Sequence, residues 1–134
     1  MRTSLSIALL LTVAACHRTA IVTSPGGAAK SATPVAVTPA NVALGDSLFH
    51  TTSCYRCHGP DAKGTPRGPN LTDQTWIHID GSYDAIVNLV TTGFTKAEQK
   101  DPQYQFTMNP RGGMRLTDDQ IKAVAAYVWT LSHK

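Results

Sequence analysis

Features that define many other kinds of protein are scarce in this sequence. Only 3 of its 134 residues are cysteine, 7% are aromatic and 16% are charged. The hydrophobic share of 42% supports one small core, as expected for a chain of single-domain length. No internal repeat, phosphate-binding glycine loop or nucleophile–base pair is evident. The sequence therefore does not favour an enzyme.

An excess of positive charge is also absent from most of the chain. The formal net charge is +3, but Arg2, Arg18 and Lys30 all precede the first acidic residue, Asp46. Without these three, nine basic residues remain against nine acidic ones. A nearly neutral folded part gives no support for nucleic-acid binding.

No hydrophobic run is long enough to cross a bilayer as a stable helix. The apolar run from Leu5 to Ala15 follows a basic start and predicts a signal peptide over residues 1–15. The small residues before Cys16 resemble a bacterial lipobox, in which the cysteine is lipidated and becomes the first mature residue. We therefore expect an exported protein, anchored on the periplasmic side of a membrane through a lipidated Cys16. Ordinary cleavage, with Cys16 lost or left as a free thiol, is the alternative.

Residues 16–38 are rich in Ala, Thr, Ser, Pro and Gly. They include no aromatic residue and show no sustained hydrophobic period, so they cannot bury enough apolar surface to fold. We predict a flexible linker over residues 16–38, between the lipid anchor and a folded domain over residues 39–134.

The folded part contains one motif with defined chemistry, Cys54-Tyr55-Arg56-Cys57-His58. The C-x-x-C-H pattern is typical of c-type haem attachment, in which both thiols bond haem vinyl groups and the histidine gives the iron an axial nitrogen. No βαβ pattern surrounds the cysteines, as a thioredoxin-like dithiol requires. No second ligand pair follows at short spacing, as a zinc site requires. The sequence therefore predicts one covalently bound haem c.

Capping and periodicity signals predict three helices. The first begins with Pro39, after the N-cap Thr38, and reaches about His50. The second covers residues 83–92. The last follows the capping box at residues 117–120 and carries an apolar stripe: Ile121, Val124, Ala125, Val128 and Leu131.

Gly45 lies inside the first predicted helix. A glycine there costs about 1 kcal/mol relative to alanine, so it needs a packing reason. Because a glycine allows a second helix to approach closely, we expect Gly45 and Phe49 to meet Val124 and Tyr127 of the last helix.

From about Asn41 to Ser132 the chain resembles a class I cytochrome c with one haem. In that family a glycine–aromatic pair on the first helix crosses a hydrophobic–aromatic pair on the last, and Gly45, Phe49, Val124 and Tyr127 match it. The resemblance implies an all-α fold, with a few helices wrapped around one covalent haem and the N- and C-terminal helices crossing. It implies one-electron transfer in a bacterial respiratory or dehydrogenase chain, with redox proteins as donor and acceptor.

The resemblance also implies roles for residues between the helices. Residues 68–71, Gly-Pro-Asn-Leu, resemble the family's G-P-x-L segment, whose proline carbonyl accepts a hydrogen bond from the proximal histidine. Pro69 would then orient His58, and Leu71 would pack on the haem; an ordinary turn is the alternative. Trp76 would either donate its indole N–H to a haem propionate or pack in the core.

A second iron ligand is expected from the segment before the last helix. Met108 is followed by Asn109-Pro110 and two glycines, which resembles the family's methionine loop. Met114 is the weaker alternative because it lies only three positions before the cap Thr117. His78 would instead give a site with two histidine ligands, but we expect it in solvent or beside a propionate.

Two other functions stay open at this point. A haem-based sensor or small-ligand binder would have Met108 absent from the iron or easily displaced, and a fixed relay subunit would use the same fold inside a larger redox complex. The polar residues 94–107 have no assignable role. Five basic residues flank the expected haem segments and are candidates for a rim that docks an acidic partner: Arg56, Lys63, Arg67, Arg111 and Arg115.

Overall fold

The computed structural model of the chain describes residue 34 and residues 36–134. The expected signal peptide, Cys16 and most of the expected linker lie outside the described residues. Within them the elements are four α-helices and two short 3₁₀ turns, and no strand is present. The predicted all-α architecture is therefore confirmed for these residues. The helices are α1 (Pro39–Thr51), α2 (Cys54–His58), α3 (Tyr83–Thr92) and α4 (Asp118–Ser132), and the 3₁₀ turns are Lys96–Glu98 and Pro110–Gly113.

The three longer helices begin where the capping residues predict. The Thr38 hydroxyl accepts a hydrogen bond from the Asn41 N–H at 3.2 Å. Ser82 caps α3 through its side chain. Thr117 and Gln120 form a reciprocal capping box at the start of α4. Each cap satisfies backbone N–H groups that the first turn of a helix leaves unpaired.

Helices α1 and α4 cross at Gly45. The nearest atoms to this glycine are the Ala123 carbonyl and the Tyr127 Cβ, and a side chain at position 45 would overlap both. Phe49 is 1% exposed, and its ring centroid lies 5.5 Å from that of Tyr127. The predicted crossing is present, but the closest approach to Gly45 is made by Ala123, one residue before Val124, because two backbones meet there.

The buried surface of helix α4 is wider than the predicted apolar stripe. Ala123, Ala126 and Trp129 are buried in addition to the stripe, whereas Leu131 is only half-buried. Both α1 and α3 pack against α4, so α4 buries side chains against two neighbouring helices. The alanines allow this because they bury little volume.

The last residues of the expected linker contact the domain just before α1. Val37 packs against the core, and the Asn41 side-chain amide donates to the Ala36 carbonyl at 2.8 Å. Among the described residues, none of the helices combines the length and the apolar character needed to span a membrane.

Candidate functional site

The helices and their connections surround a largely apolar cavity of about 320 Å³. Apolar side chains of α1, α3 and α4 form much of its wall, including Phe49, Ile86 and Val128. The cavity also brings together residues that are distant in sequence. The residues predicted to hold a haem that line it are Cys54, Cys57, His58, Pro69, Leu71, Trp76 and Met108.

Helix α2 presents the two thiols. Cys54 and Cys57 are three residues apart and therefore lie on one face of the helix. Both are free and half-buried. Burial raises the pKa of the Cys54 thiol, partly opposed by the Thr52 hydroxyl 3.3 Å from its sulfur. Two unpaired thiols therefore border the cavity.

The His58 ring is fixed by a backbone carbonyl. Its Nδ1 lies 3.0 Å from the Pro69 oxygen, which is the contact implied by the G-P-x-L resemblance. Burial lowers the pKa of His58, and the Pro69 carbonyl partly opposes that shift. A neutral ring that donates from Nδ1 to Pro69 leaves Nε2 available to coordinate a metal.

The connection after α2 holds Pro69 by means of backbone bonds. The Gly64 N–H donates to the His58 carbonyl at 2.8 Å, and the Leu71 N–H donates to the Ala62 carbonyl at 2.8 Å. Gly64 has a φ of +87°, and a Cβ there would lie 2.7 Å from the Asn70 nitrogen. Residues 54–71, which we call the histidine side, therefore fold tightly because position 64 is a glycine.

The two candidate methionines lie in different surroundings. Met108 is half-buried, lines the cavity and packs against the core. Met114 is 42% exposed and is not among the residues that line the cavity. The structure therefore brings Met108, and not Met114, to the cavity that holds Cys54, Cys57 and His58.

Trp76 and Leu71 form part of the cavity wall. Leu71 is 9% exposed. The indole of Trp76 lies against Gly81, where a Cβ would overlap the ring. Gly81 has a φ of +81°, so the tight packing and the backbone conformation both favour glycine there.

Several residues that line the cavity had no role in the sequence analysis. They come from residues 94–107. His78, which was expected in solvent or beside a propionate, also lines the cavity, and its ring stacks on Phe94 with centroids 4.1 Å apart. One sequence signal could have found them: three of the nine aromatic residues lie in this otherwise polar segment. The cavity-lining residues of the segment are Phe94, Gln99, Tyr104, Phe106 and Thr107.

The basic residues that were expected to form a rim divide into two groups. Arg56, Arg67 and Arg111 line the cavity, and Lys63 and Arg115 are exposed away from its lining. The Arg111 guanidinium binds the Leu116 carbonyl at 2.6 Å and Asp118 at 2.7 Å. The Arg67 guanidinium lies 4.7 Å from the centroid of the Phe106 ring.

The donor set fits a haem better than a bare metal ion. Across residues 34 and 36–134, no three His, Cys, Asp or Glu side chains are close enough to hold an ion together. Two thiols and one oriented imidazole instead border a large apolar cavity, and these are the protein groups that a covalent haem requires.

The model of the Cytochrome c family matches residues 42–132 of the chain. The chain belongs to the cytochrome c family. Haem c is its covalent cofactor, and Cys54 and Cys57 lie in the attachment motif. Its role is electron transfer, the role of a cytochrome c domain.

Curated relatives of this cytochrome c are longer proteins. The chain is 36% identical over 94 residues to the cbb3-type cytochrome c oxidase subunit CcoP of Rubrivivax gelatinosus, covering 70% of this chain and 27% of that one. It is 36% identical over 92 residues to the FixP subunit of Rhizobium etli, covering 69% and 31%. The chain thus spans about three tenths of the length of these relatives.

A solved structure has the same fold. Cytochrome CL of the marine methylotroph Methylophaga aminisulfidivorans superimposes with a TM-score of 0.54 and 24% sequence identity, covering 69% of this chain and 54% of that one. At this identity the likeness concerns the fold alone.

Proposed function

We propose that this cytochrome c is a one-electron carrier with His58 and Met108 as the two iron ligands. One observation carries the proposal: both thiols, the His58 ring and Met108 border the same apolar cavity, whereas Met114 is exposed outside it. Bound haem c supplies a ferrous/ferric couple, and a thioether ligand favours the ferrous state relative to a second imidazole.

The chain's own residues would attach, orient and shield the cofactor. Cys54 and Cys57 would hold it covalently, and the Pro69 carbonyl would fix the His58 ring. The buried side chains of α3 and α4 that line the cavity would exclude water from it. Leu71 and Trp76 would contact the haem as part of this wall. With His58 and Met108 both binding the iron, no coordination site would be open to a substrate, so the domain would transfer electrons without being an enzyme itself.

The axial ligand is tested with two methionine variants of the full-length holoprotein. Met108→Ala should abolish the thioether–iron absorption band of the oxidised protein and lower the midpoint potential. Met114→Ala is the matched control, because it removes an exposed methionine from the same loop, and it should leave both unchanged. Loss of the band in Met114→Ala, with the band intact in Met108→Ala, would reverse the assignment.

Firm ligation by Met108 also separates a carrier from a sensor. A haem-based sensor or small-ligand binder needs an open or easily vacated iron position. We expect the reduced protein to resist carbon monoxide at neutral pH and the Met108→Ala variant to bind it readily. Equal binding by both proteins would favour the sensor.

The names of the relatives support one particular arrangement of the carrier. Both relatives described above are cbb3-type cytochrome c oxidase subunits, which favours a fixed relay within a larger redox complex over a mobile shuttle. Purification in mild detergent distinguishes the two. A relay should leave the column with its donor or acceptor protein, whereas a shuttle should elute alone.

The cavity-lining arginines are candidates for contact with that partner. Arg56 and Arg67 are exposed and line the cavity, so they are suited to meet an acidic surface near the haem. Charge-reversal at either residue should slow electron transfer to the partner at low salt more than reversal at Arg115, which lies outside the lining. Electron-transfer rates to the partner that do not change with ionic strength would contradict this docking mode.

The export and membrane attachment of the protein are proposed from the sequence alone. Residues 1–15 would be removed, Cys16 would carry the lipid, and residues 16–38 would tether the domain over residues 39–134 on the periplasmic side. Mass spectrometry of the mature protein should find a lipidated Cys16 at its N-terminus. Intact mature protein that lacks residue 16 would contradict the proposal, and Cys16→Ser should release the domain from membranes.

A further inference from the structure

Residues 94–107 leave α3 and return to Met108 along the cavity wall. The two ends of this segment are joined by a hydrogen bond between backbone groups. The Phe94 N–H donates to the Met108 carbonyl at 2.9 Å, so the segment is closed at its base by the residue proposed as the iron ligand. We call residues 94–107 the strap.

Gly93, the residue before Phe94, packs against the backbone at Met108. Its φ is +62°, and a Cβ there would overlap the Met108 carbonyl and lie 2.7 Å from both the Asn109 carbonyl carbon and the Pro110 nitrogen. The end of α3 and the Met108 backbone are therefore packed so closely that no side chain fits between them. Any larger residue at position 93 has to move Met108 and the residues that follow it.

Gln99 joins the strap to the opposite wall. Its side-chain Oε1 lies 3.0 Å from His78 Nε2, and its Nε2 donates to the Phe106 carbonyl at 3.2 Å. The His78 ring also stacks on Phe94, at the start of the strap, with an interplanar angle of 23°. One half-buried amide therefore connects the segment before α3 to the backbone two residues before Met108.

We propose that Gly93 and Gln99 are positioning residues that hold Met108 at the cavity, the first by packing at the base of the strap and the second by linking it to His78. The inference rests on Met108 being the axial ligand. An exogenous ligand would bind the iron only in the fraction of molecules in which Met108 has left the cavity, so its apparent affinity would follow that fraction. The strap would therefore set how strongly Met108 resists displacement by exogenous ligands.

The test uses full-length holoprotein in which Gly93→Ala and Gln99→Leu are compared with matched controls. Gly113→Ala carries the same backbone strain, with a φ of +74°, but the nearest atom to a Cβ there is 3.6 Å away. Gln105→Leu removes an exposed glutamine side chain from the same strap. The readouts are the thioether–iron band of the oxidised protein and its affinity for imidazole.

Gly93→Ala should weaken or abolish the band and increase imidazole affinity by about tenfold or more, because the open fraction rises in proportion. Gln99→Leu should increase the affinity by about three- to tenfold on the same basis. Both controls should stay within about twofold of the unsubstituted protein. If Gly93→Ala does not accumulate as a haem protein, Gln99→Leu decides.

Met108→Ala separates failure of this inference from failure of the proposed ligation. A band that survives in Met108→Ala would remove the ligand assignment itself. A band that is lost in Met108→Ala but intact in Gln99→Leu, with unchanged imidazole affinity, would overturn the role of the strap. If Gly93→Ala and Gln99→Leu had the same effects as their controls, the role of the strap would also be overturned, because any substitution near Met108 would then loosen its ligation.

Discussion

The two sides of the cavity are held in different ways. The histidine side, residues 54–71, is closed by backbone hydrogen bonds between its own turns, such as Gly64 to His58 and Leu71 to Ala62. Beyond its base at Met108, the strap is joined to the rest of the domain by side chains: Gln99 and Lys100 bond to His78, and Arg67 covers Phe106. These side chains are at least partly exposed, and they lose conformational freedom when they bond, so such links stabilise less than backbone bonds.

This difference matches what each side has to do. The histidine side carries the attachment cysteines and a ligand whose orientation must not vary. The methionine side, by which we mean the strap, Met108 and the loop up to Met114, supplies a ligand through a longer segment. Substitutions there can change how strongly Met108 is held without disturbing the attachment site. We expect stability to depend mainly on the histidine side and ligand exchange mainly on the strap.

Among the variants that test this comparison through stability, Gly64→Ala has the largest expected effect. In Gly64→Ala the Cβ would lie 2.7 Å from the Asn70 nitrogen and 3.0 Å from the Pro69 carbonyl carbon, in addition to the strain of a positive φ. We expect the free energy of unfolding to fall by about 2–4 kcal/mol. Gly113→Ala, on the methionine side, has strain without overlap and should cost about 1–2 kcal/mol. Guanidinium unfolding of the holoproteins measures both, and equal losses would remove the proposed difference between the sides.

A smaller loss is expected at Thr65. Its hydroxyl donates to the Cys57 carbonyl at 2.6 Å and accepts from the Arg67 N–H at 3.0 Å. Thr65→Val keeps the shape and removes both bonds, which should cost about 1–2 kcal/mol. Thr92→Val is the control, because the exposed Thr92 hydroxyl bonds only within and at the end of α3. A loss at Thr65 no larger than at Thr92 would contradict the importance of the histidine-side bonds.

A still smaller effect is expected in the strap. Lys96 is exposed, and its amine donates to the Gln105 carbonyl at 3.1 Å. Lys96→Met should change the free energy of unfolding by less than about 0.5 kcal/mol. Hydrogen exchange should nevertheless become faster within residues 94–107 while it stays unchanged in residues 54–71. Faster exchange on the histidine side as well would show that the two sides are coupled.

Local signals predicted much of this structure. The caps Thr38 and Thr117 fixed helix starts, because capping involves residues only a few positions apart. The C-x-x-C-H spacing predicted the attachment cysteines and the histidine ligand, and Gly45 predicted the crossing of α1 and α4. The Pro69 contact came only with the family resemblance, because its residues alone also fit an ordinary turn.

The features that sequence reasoning missed depend on contacts between distant residues. Nothing in the local sequence of Gln99 indicates that it meets His78, which lies 21 residues earlier. The burial of α4 beyond its stripe has the same origin, since a second neighbour, α3, packs on a face that periodicity alone leaves undefined. Met108 was preferred over Met114 from loop spacing and resemblance, and the exposure of Met114 supports that preference.

The smallest expected effect is a pH-dependent one at His50, which links α1 to the histidine side. Its Nε2 lies 2.7 Å from the Pro60 carbonyl, and its Nδ1 lies 2.9 Å from the Asp46 carbonyl. Both nitrogens can donate only when the ring is protonated, so the Asp46 and Pro60 carbonyls, in that order, raise the pKa of His50 above its ordinary 6.5. The Asp46 carboxylate, 3.0 Å from Nδ1, adds a smaller contribution.

A raised pKa in the folded state fixes the direction of this effect. The contribution of His50 to stability is fully present below pH 6.5 and declines as the pH rises through the folded-state pKa. The difference in unfolding free energy between the unsubstituted protein and His50→Gln should therefore shrink as the pH rises above about 6.5. Asp46→Asn keeps both backbone acceptors and should retain most of that pH dependence. If Asp46→Asn removes it, the carboxylate is the dominant partner, and the link from α1 to Pro60 contributes little to the rigidity of the histidine side.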